Sequence, residues 1–353
     1  VLPSLDAVAE LFDSALRVSA DGGVVVLAAE ALRDICEEDA EFHKEEAHAQ
    51  GLASQRLAAP AVPHLLLHLR PNDDKDECMG ETGSDVTAAA AECLGAVAQA
   101  VGDSVLPAVL CFAQGAAASQ NWKERYAAAV AVGAVAAGLS EAALRRVLAE
   151  FLPTVLTACG ARLEPGEKQA MFGCIEQIMT AVADTTDAAS ALGPQIISRT
   201  LGVLRLGTRE EAAVAEMACR AVASTVAATG ELSSKDHQHT SVLFPYFSGV
   251  IGSLLGRAES IPTSDEAVSL QMAAFAAVRD VVTHSPEDCC PMLADLAAVV
   301  NRQGADTGRR LQLMAAREMT QQQEAYIRRL RDLQAFLCTM LQEIFIRVNR
   351  SAA

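Results

Sequence analysis

Apolar residues along this chain recur three and four positions apart, the period of a helix with one buried face. The pattern stops and resumes so that the segments fall into pairs. A first segment over roughly 4–18 is followed by a second over 24–36, and then come 57–69 with 86–101, 103–117 with 122–139, and 141–158 with 166–183. The later pairs are 193–206 with 209–229, 240–257 with 264–283, and 287–302 with 320–348. Breakers lie between them, among them Gly102-Asp103, Gly138, Gly160, Gly207-Thr208, Pro262 and Ser285-Pro286. Some are followed by a helix-start signal, Ser140 before Glu141 and Thr208 three residues before Glu211. No sustained alternation of apolar and polar residues occurs, so strands are not expected.

The segment after Asn121 shows what such elements are for. Trp122, Tyr126, Ala129, Gly133 and Ala136 make one stripe, and Ala128, Val132, Val135 and Leu139 make a second. Its charges, Lys123, Glu124 and Arg125, all lie near its start. A helix apolar on two sides must be flanked on two sides, which is the place of an inner helix in a stacked array. The second segments begin at intervals of roughly 36 to 62 residues, the shorter ones near the period of HEAT or armadillo repeats. The pattern therefore predicts an all-α, right-handed α-solenoid of about seven HEAT repeats, residues 1–353 forming one array.

Composition agrees. Apolar residues are 51% of the chain and aromatics only 4%, with alanine abundant, as suits helices that approach closely. A formal charge of -17 excludes nucleic acid as a natural partner and favours basic ones. The ten cysteines are scattered with no Cys-x-x-Cys pair, and they read as free thiols in a reducing compartment. The longest apolar run, Tyr126 to Leu139, is too short to span a bilayer. The chain opens on Val1 without a leader pattern, so it reads as a soluble, intracellular segment trimmed from a longer protein.

One stretch interrupts the helical pattern. "RPNDDKDECMGETGSD" (70–85) carries Asp73, Asp74, Asp76, Glu77, Glu81 and Asp85 against the single lysine Lys75. It falls between the two helices of one pair, and loops inserted into solenoids collect on one face, often the binding face. As a calcium loop it fails. Counting from Asp74, Asp76 suits the third position, but Cys78 and Met79 stand where an oxygen ligand and a glycine are needed. A solvated surface loop is the competing reading.

The sequence "GDSVLPAVLCFAQGAAASQNWKERYAAAVAVGAVAAG" (102–138) resembles a mid-array HEAT repeat of the importin-β family. That family's pattern is an Asp-x-Val-x-Pro first helix, then a Trp-Arg-x-Arg-type turn opening an alanine-rich second helix. "LAAEALRDICEEDAEF" (27–42) resembles the preceding helix, and "THSPEDCCPMLADLAAVV" with "LRDLQAFLCTMLQEIFIRV" (283–300 and 330–348) is similar to later repeats. The resemblance implies a central portion of a nuclear import receptor, shuttling between cytoplasm and nucleus and passing the nuclear pore. Its implied partners are a basic adaptor or cargo segment of the importin-α type, the GTPase Ran, and Phe-Gly nucleoporins. It implies that the acidic loop contacts Ran and the basic segment and couples GTPase binding to cargo release. Here Lys75 dilutes the acidic run, and Gly-Ser follows where the family commonly has Trp. Where the family grips its basic ligand with tryptophans, this chain has Met171 or Phe172 and Arg220. Glu210, Glu211 and Glu216 are the acids expected to help there, against the alternative of a solvated helix face.

No constellation for catalysis, metal or cofactor emerges. His64 and His68 are four apart and His237 and His239 flank Gln238, neither pair with a third ligand, and "HKEEAH" (43–48) has the wrong order for a zinc protease. Phosphate loops and nucleophile elbows are absent too. Arg328, Arg329 and Arg331 interrupt a stripe of Leu330, Leu333, Leu337, Leu341, Ile344 and Val348 that reads as array core. The expected activity is binding without chemistry. The alternative is a HEAT scaffold of another complex, or another member of the importin superfamily.

Overall fold

The computed structural model describes residues 2–18, 22–45, 52–71, 82–159, 163–183, 186–204, 212–233, 243–258, 265–285, 287–314 and 321–351. Among these the elements are helices and turns, with no strand. They gather into two compact units, Val1–Thr185 and Thr186–Ala353.

The first unit holds α1 (Leu2–Val18), α2 (Gly22–Glu45), α3 (Leu52–His68), α4 (Thr82–Val101), α5 (Leu106–Ala117), α6 (Trp122–Val135), α7 (Glu141–Glu150), α8 (Leu152–Cys159) and α9 (Pro165–Ala181). Helix pairs α1–α2, α3–α4 and α5–α6 pack as repeats, and α7–α8 together form the first limb of a fourth with α9. The second helices stack on one another in the order α2, α4, α6, α9, and the first helices in the order α1, α3, α5. The second unit repeats the scheme with α10 (Thr186–Leu204) on α11 (Ala212–Ser233), α12 (Phe244–Ala258) on α13 (Asp265–Thr283), and α14 (Leu293–Met314) on α15 (Gln321–Ser351). Among the described residues, helix pairs thus appear where the periodicity expects them.

Several boundaries differ from expectation, among them α3 and α10, which begin at Leu52 and Thr186 instead of 57 and 193, and α14, which ends at Met314 instead of 302. Helix α2 runs on beyond Cys36 to Glu45, because Glu37 to Glu45 contains no breaker and its glutamates are good helix formers, with Glu37, Glu38 and Glu41 exposed. The segment 141–158 splits at Phe151 into α7 and α8. Pro153 has no N–H to donate, and its ring opposes the carbonyl four residues back, so the chain restarts a helix there.

Small residues set the spacing of the second helices. Ala127, Ala128, Ala129, Ala131, Val132, Gly133 and Val135 of α6 are all buried, as a helix flanked by α4, α5 and α9 requires. A Cβ on Gly138 would fall under 3.0 Å from the Ala98 backbone of α4, and one on Gly133 would stand 3.1 Å from Cys174 Cα of α9. Gly102 takes φ +62°, which lets the chain turn out of α4 without a side-chain clash. That turn also accounts for Val86–Ala117, whose length and mean hydropathy of 1.6 match a membrane span. It is two helices, α4 and α5, bent at Gly102.

Local signals close the helix ends. Asn121 accepts a hydrogen bond from the Lys123 N–H, and Ser140 accepts one from the Ala143 N–H. Ser140 also donates through its own N–H (2.8 Å) and hydroxyl (2.5 Å) to Asp103, which ties the start of α7 to the turn after α4. Asp39 of α2 does the same for α3, accepting from the Ser54 N–H and hydroxyl. Glu211, expected beside a Thr208 cap, lies outside the described residues, as does Thr208.

Candidate partner-binding surface

In the chain the acidic stretch stands between α3 and α4, the two helices of one repeat. Three consecutive described residues follow the end of α3. Leu69 is fully buried, Arg70 reaches across to Glu124 on the first turn of α6 at 3.4 Å, and Pro71 fixes its own backbone and disfavours helix at Arg70. Asp73, Asp74, Asp76, Glu77 and Glu81 lie outside the described residues. Asp85 belongs to α4, which begins at Thr82, so the last of the six acids is on a helix and not in the loop.

The other expected acids divide similarly. Glu210 and Glu211 lie outside the described residues. Glu216 is half-buried on α11 and pairs one turn along with Arg220 at 3.0 Å. Met171 and Phe172 of α9, the positions aligned with ligand-gripping tryptophans, are 5% and 0% exposed and belong to the core. They offer no ring to a partner's cation. Trp122 stands edge-on to Tyr126 at 6.4 Å with Lys123 Nζ 6.0 Å from its ring centre, and it lies over Gly166 at the start of α9.

The strongest polar contact has no signature in the sequence pattern. Arg125 of α6 forks onto Glu167 of α9 at 2.6 and 2.9 Å and donates to the Ser119 carbonyl at 2.8 Å. Glu167 is completely buried, and the guanidinium answers both of its oxygens, which offsets the cost of taking a carboxylate out of water. The Glu167 hydrogen bond in turn raises the Arg125 pKa above its ordinary value. The extension of α2 also brings an acidic ridge into view. Glu30, Asp34, Glu37, Glu38 and Glu41 are exposed, and Arg33 links this ridge to Glu92 of α4 at 2.8 Å. Their spacing of three and four is visible in the sequence once the helix is continued past Cys36.

The histidines of α3 have structural partners. His64 Nε2 lies 2.9 Å from Asp13 of α1 and His68 Nε2 lies 2.7 Å from the Leu16 carbonyl. His237 and His239 lie outside the described residues. Among the described residues no group of three or more His, Cys, Asp or Glu could hold a metal ion. The described cysteines are free, with Cys36, Cys93, Cys174, Cys219, Cys289 and Cys290 buried. Burial pushes the Cys36 thiol up to about 11 and the Cys219 thiol up to about 12. Such thiols stay protonated and are poor nucleophiles.

The exposed carboxylates in a row among the described residues are thus those of α2, which Arg33 ties to α4. A family model described as importin subunit beta-1-like, TPR repeats, matches residues 200–353. Importin subunit beta-1 of Schizosaccharomyces pombe is 27% identical over 289 residues, 78% of this chain and 32% of that protein. The Arabidopsis thaliana importin subunit beta-1 is 26% identical over 338 residues, 93% of this chain and 37% of that protein. These likenesses support reading the chain as an importin-β-type HEAT-repeat segment. It spans about a third of the length of these relatives. Solved importin-β structures have the same fold. A Kap95:Nup1 complex superposes with a TM-score of 0.79 at 22% identity, covering 99% of this chain and 38% of that one. Yeast importin-beta (Kap95p) gives 0.76 at 22% identity over 96% of this chain and 37% of its own. The all-α solenoid expected from the repeat pattern is therefore the architecture of importin-β.

Proposed function

We propose that this chain is the partner-binding part of a nuclear transport receptor and works by binding, not by chemistry. The observation that carries the reading is the position of the acidic run Asp73 to Glu77, inserted between the helices of one repeat in an importin-β-type array. A basic import segment of the adaptor type is held by these acids, with Glu81 and Asp85 at the far end of the run and Glu210, Glu211 and Glu216 as further acids on the second unit. Lysine and arginine side chains pair with such carboxylates over a chain that is already strongly negative. Ran is the competing partner, engaging the same loop and releasing the basic segment. One similar structure pairs Kap95p with RanGDP and another pairs Kap95 with Nup1, which supports Ran and a nucleoporin as partners of this chain. The receptor then shuttles between cytoplasm and nucleus through the pore. Because Met171 and Phe172 are core residues, the grip on the basic segment rests on carboxylates more than on aromatic faces.

The test is to replace the six acids with Asn or Gln and titrate a basic adaptor peptide by fluorescence anisotropy at several salt concentrations. Binding weakens and its salt dependence flattens. Unchanged affinity at low salt removes the loop from the mechanism.

A further inference from the structure

We infer that α12 is the yielding element of the second unit, opening locally about a pinned C-terminal end while α11 and α13 stay packed. Glycine inside a helix weakens it, because the unfolded chain has more freedom to lose and the bare backbone lies open to water. A glycine is kept where a neighbouring backbone leaves no room for a Cβ, as at Gly138 beside Ala98. Helix α12 carries Gly249, Gly252 and Gly256 without that reason. Nothing lies within 4 Å of where a Cβ would stand on Gly252 or Gly256, and one on Gly249 would make only ordinary contact with Leu201 at 3.8 Å. Alanine would fit all three positions and hold the helix better.

The seat of α12 is thin as well. It is anchored by one line of buried side chains, Phe247, Val250, Leu254 and Ala258. Its partner α13 buries Ala274, Phe275, Val278, Val281 and Val282 while packed on α11, α12 and α15. Low helix propensity and few buried apolar side chains mark elements that open before the rest of a fold. The C-terminal end is held differently. Arg257 Nε donates to the Leu204 carbonyl at the end of α10, and Gln271 Nε2 of α13 donates to the Ala258 carbonyl at the end of α12, both at 2.6 Å. These two bonds tie the last turn of α12 to both neighbours. Opening from the other end leaves α11 packed on α13, so the second unit deforms in its first helices while its second helices keep register.

Hydrogen exchange of the full chain, followed by mass spectrometry at neutral pH, reads this opening directly. Peptides of α12 exchange at least about tenfold faster than those of α11 and α13. Gly252→Ala with Gly256→Ala slows α12 by roughly fivefold for each alanine and leaves α11 and α13 unchanged. Gln271→Ala releases the pinned end and speeds α12 by roughly fivefold, the loss of one hydrogen bond. The inference is overturned if α12 exchanges as slowly as α13, or if the two alanines leave its exchange unaltered. Slowing shared equally by α11, α12 and α13 also overturns it, because α12 then opens only when the whole unit unfolds.

Discussion

Glu167 is a carboxylate with no exposed surface, and what makes it tolerable comes from one side chain on the neighbouring helix, Arg125. Removing that partner strands the charge. Arg125→Ala should cost about 3 kcal/mol of stability, the lower part of the range for breaking a buried pair, because Arg125 itself keeps some contact with water. It is measured as a fall in the urea midpoint at constant slope. Replacing both partners, Arg125→Met with Glu167→Leu, should recover most of the loss, since neither residue is then left unpaired. The buried thiols carry a second prediction. In the folded chain Cys36 and Cys219 are raised from 9.0 to about 11 and about 12, while the unfolded chain ionises near the ordinary value. Above that value the unfolded state binds fewer protons, so stability falls as pH rises, by about 1.4 kcal/mol per pH unit for each such thiol until the folded pKa is reached. Urea unfolding from pH 8 to 10.5 should show this decline, and Cys36→Ala with Cys219→Ala should reduce its slope. At pH 8 an alkylating reagent should label the exposed Cys111 and Cys338 of the native chain and spare Cys36 and Cys219.

Helices in this array meet through missing side chains, so glycine substitutions should divide by position. Gly138 approaches the α4 backbone too closely for any Cβ, and Gly138→Ala should destabilise by about 1–3 kcal/mol through forced separation of α4 from the end of α6. Gly115, on the exposed side of α5, has open space within 4 Å of where an alanine methyl would stand, and Gly115→Ala should stabilise by up to about 1 kcal/mol from helix propensity. Thermal unfolding of the two variants, moving in opposite directions, checks the pair. These contacts also show what sequence can and cannot convey. Helix pairing is legible because burial repeats every three or four residues, and the Asn121 and Ser140 caps are legible because capping is local. The extension of α2 past Cys36 is hidden because a run of acids has no apolar period, although its helix propensity is high. The clasp between Arg125 and Glu167 is not legible, since nothing in either segment alone specifies which partner the stacking will bring. The pairing of Arg70 is hidden likewise, since Glu124 arrives from another repeat.

A charge of -17 acts on partners before any contact forms, and this separates the field of the whole chain from the local acidic run. Long-range attraction speeds encounter and is screened by salt, while contact with particular carboxylates chiefly slows dissociation. Three exposed acids of α2, Glu30, Glu38 and Glu41, and three acids of the loop, Asp73, Asp74 and Asp76, allow equal changes of charge at two places. Neutralising either set should lower the association rate of an oligo-arginine peptide at low salt, and the difference between sets should shrink as the ionic strength rises. Only the loop set should raise the dissociation rate. Stopped-flow anisotropy at two salt concentrations reads both constants for both variants. If the two sets change dissociation equally, the chain holds basic ligands as a diffuse negative surface, and the inserted run has no privileged part in it. If only the loop set does so, the array supplies attraction in general and the insertion supplies the grip.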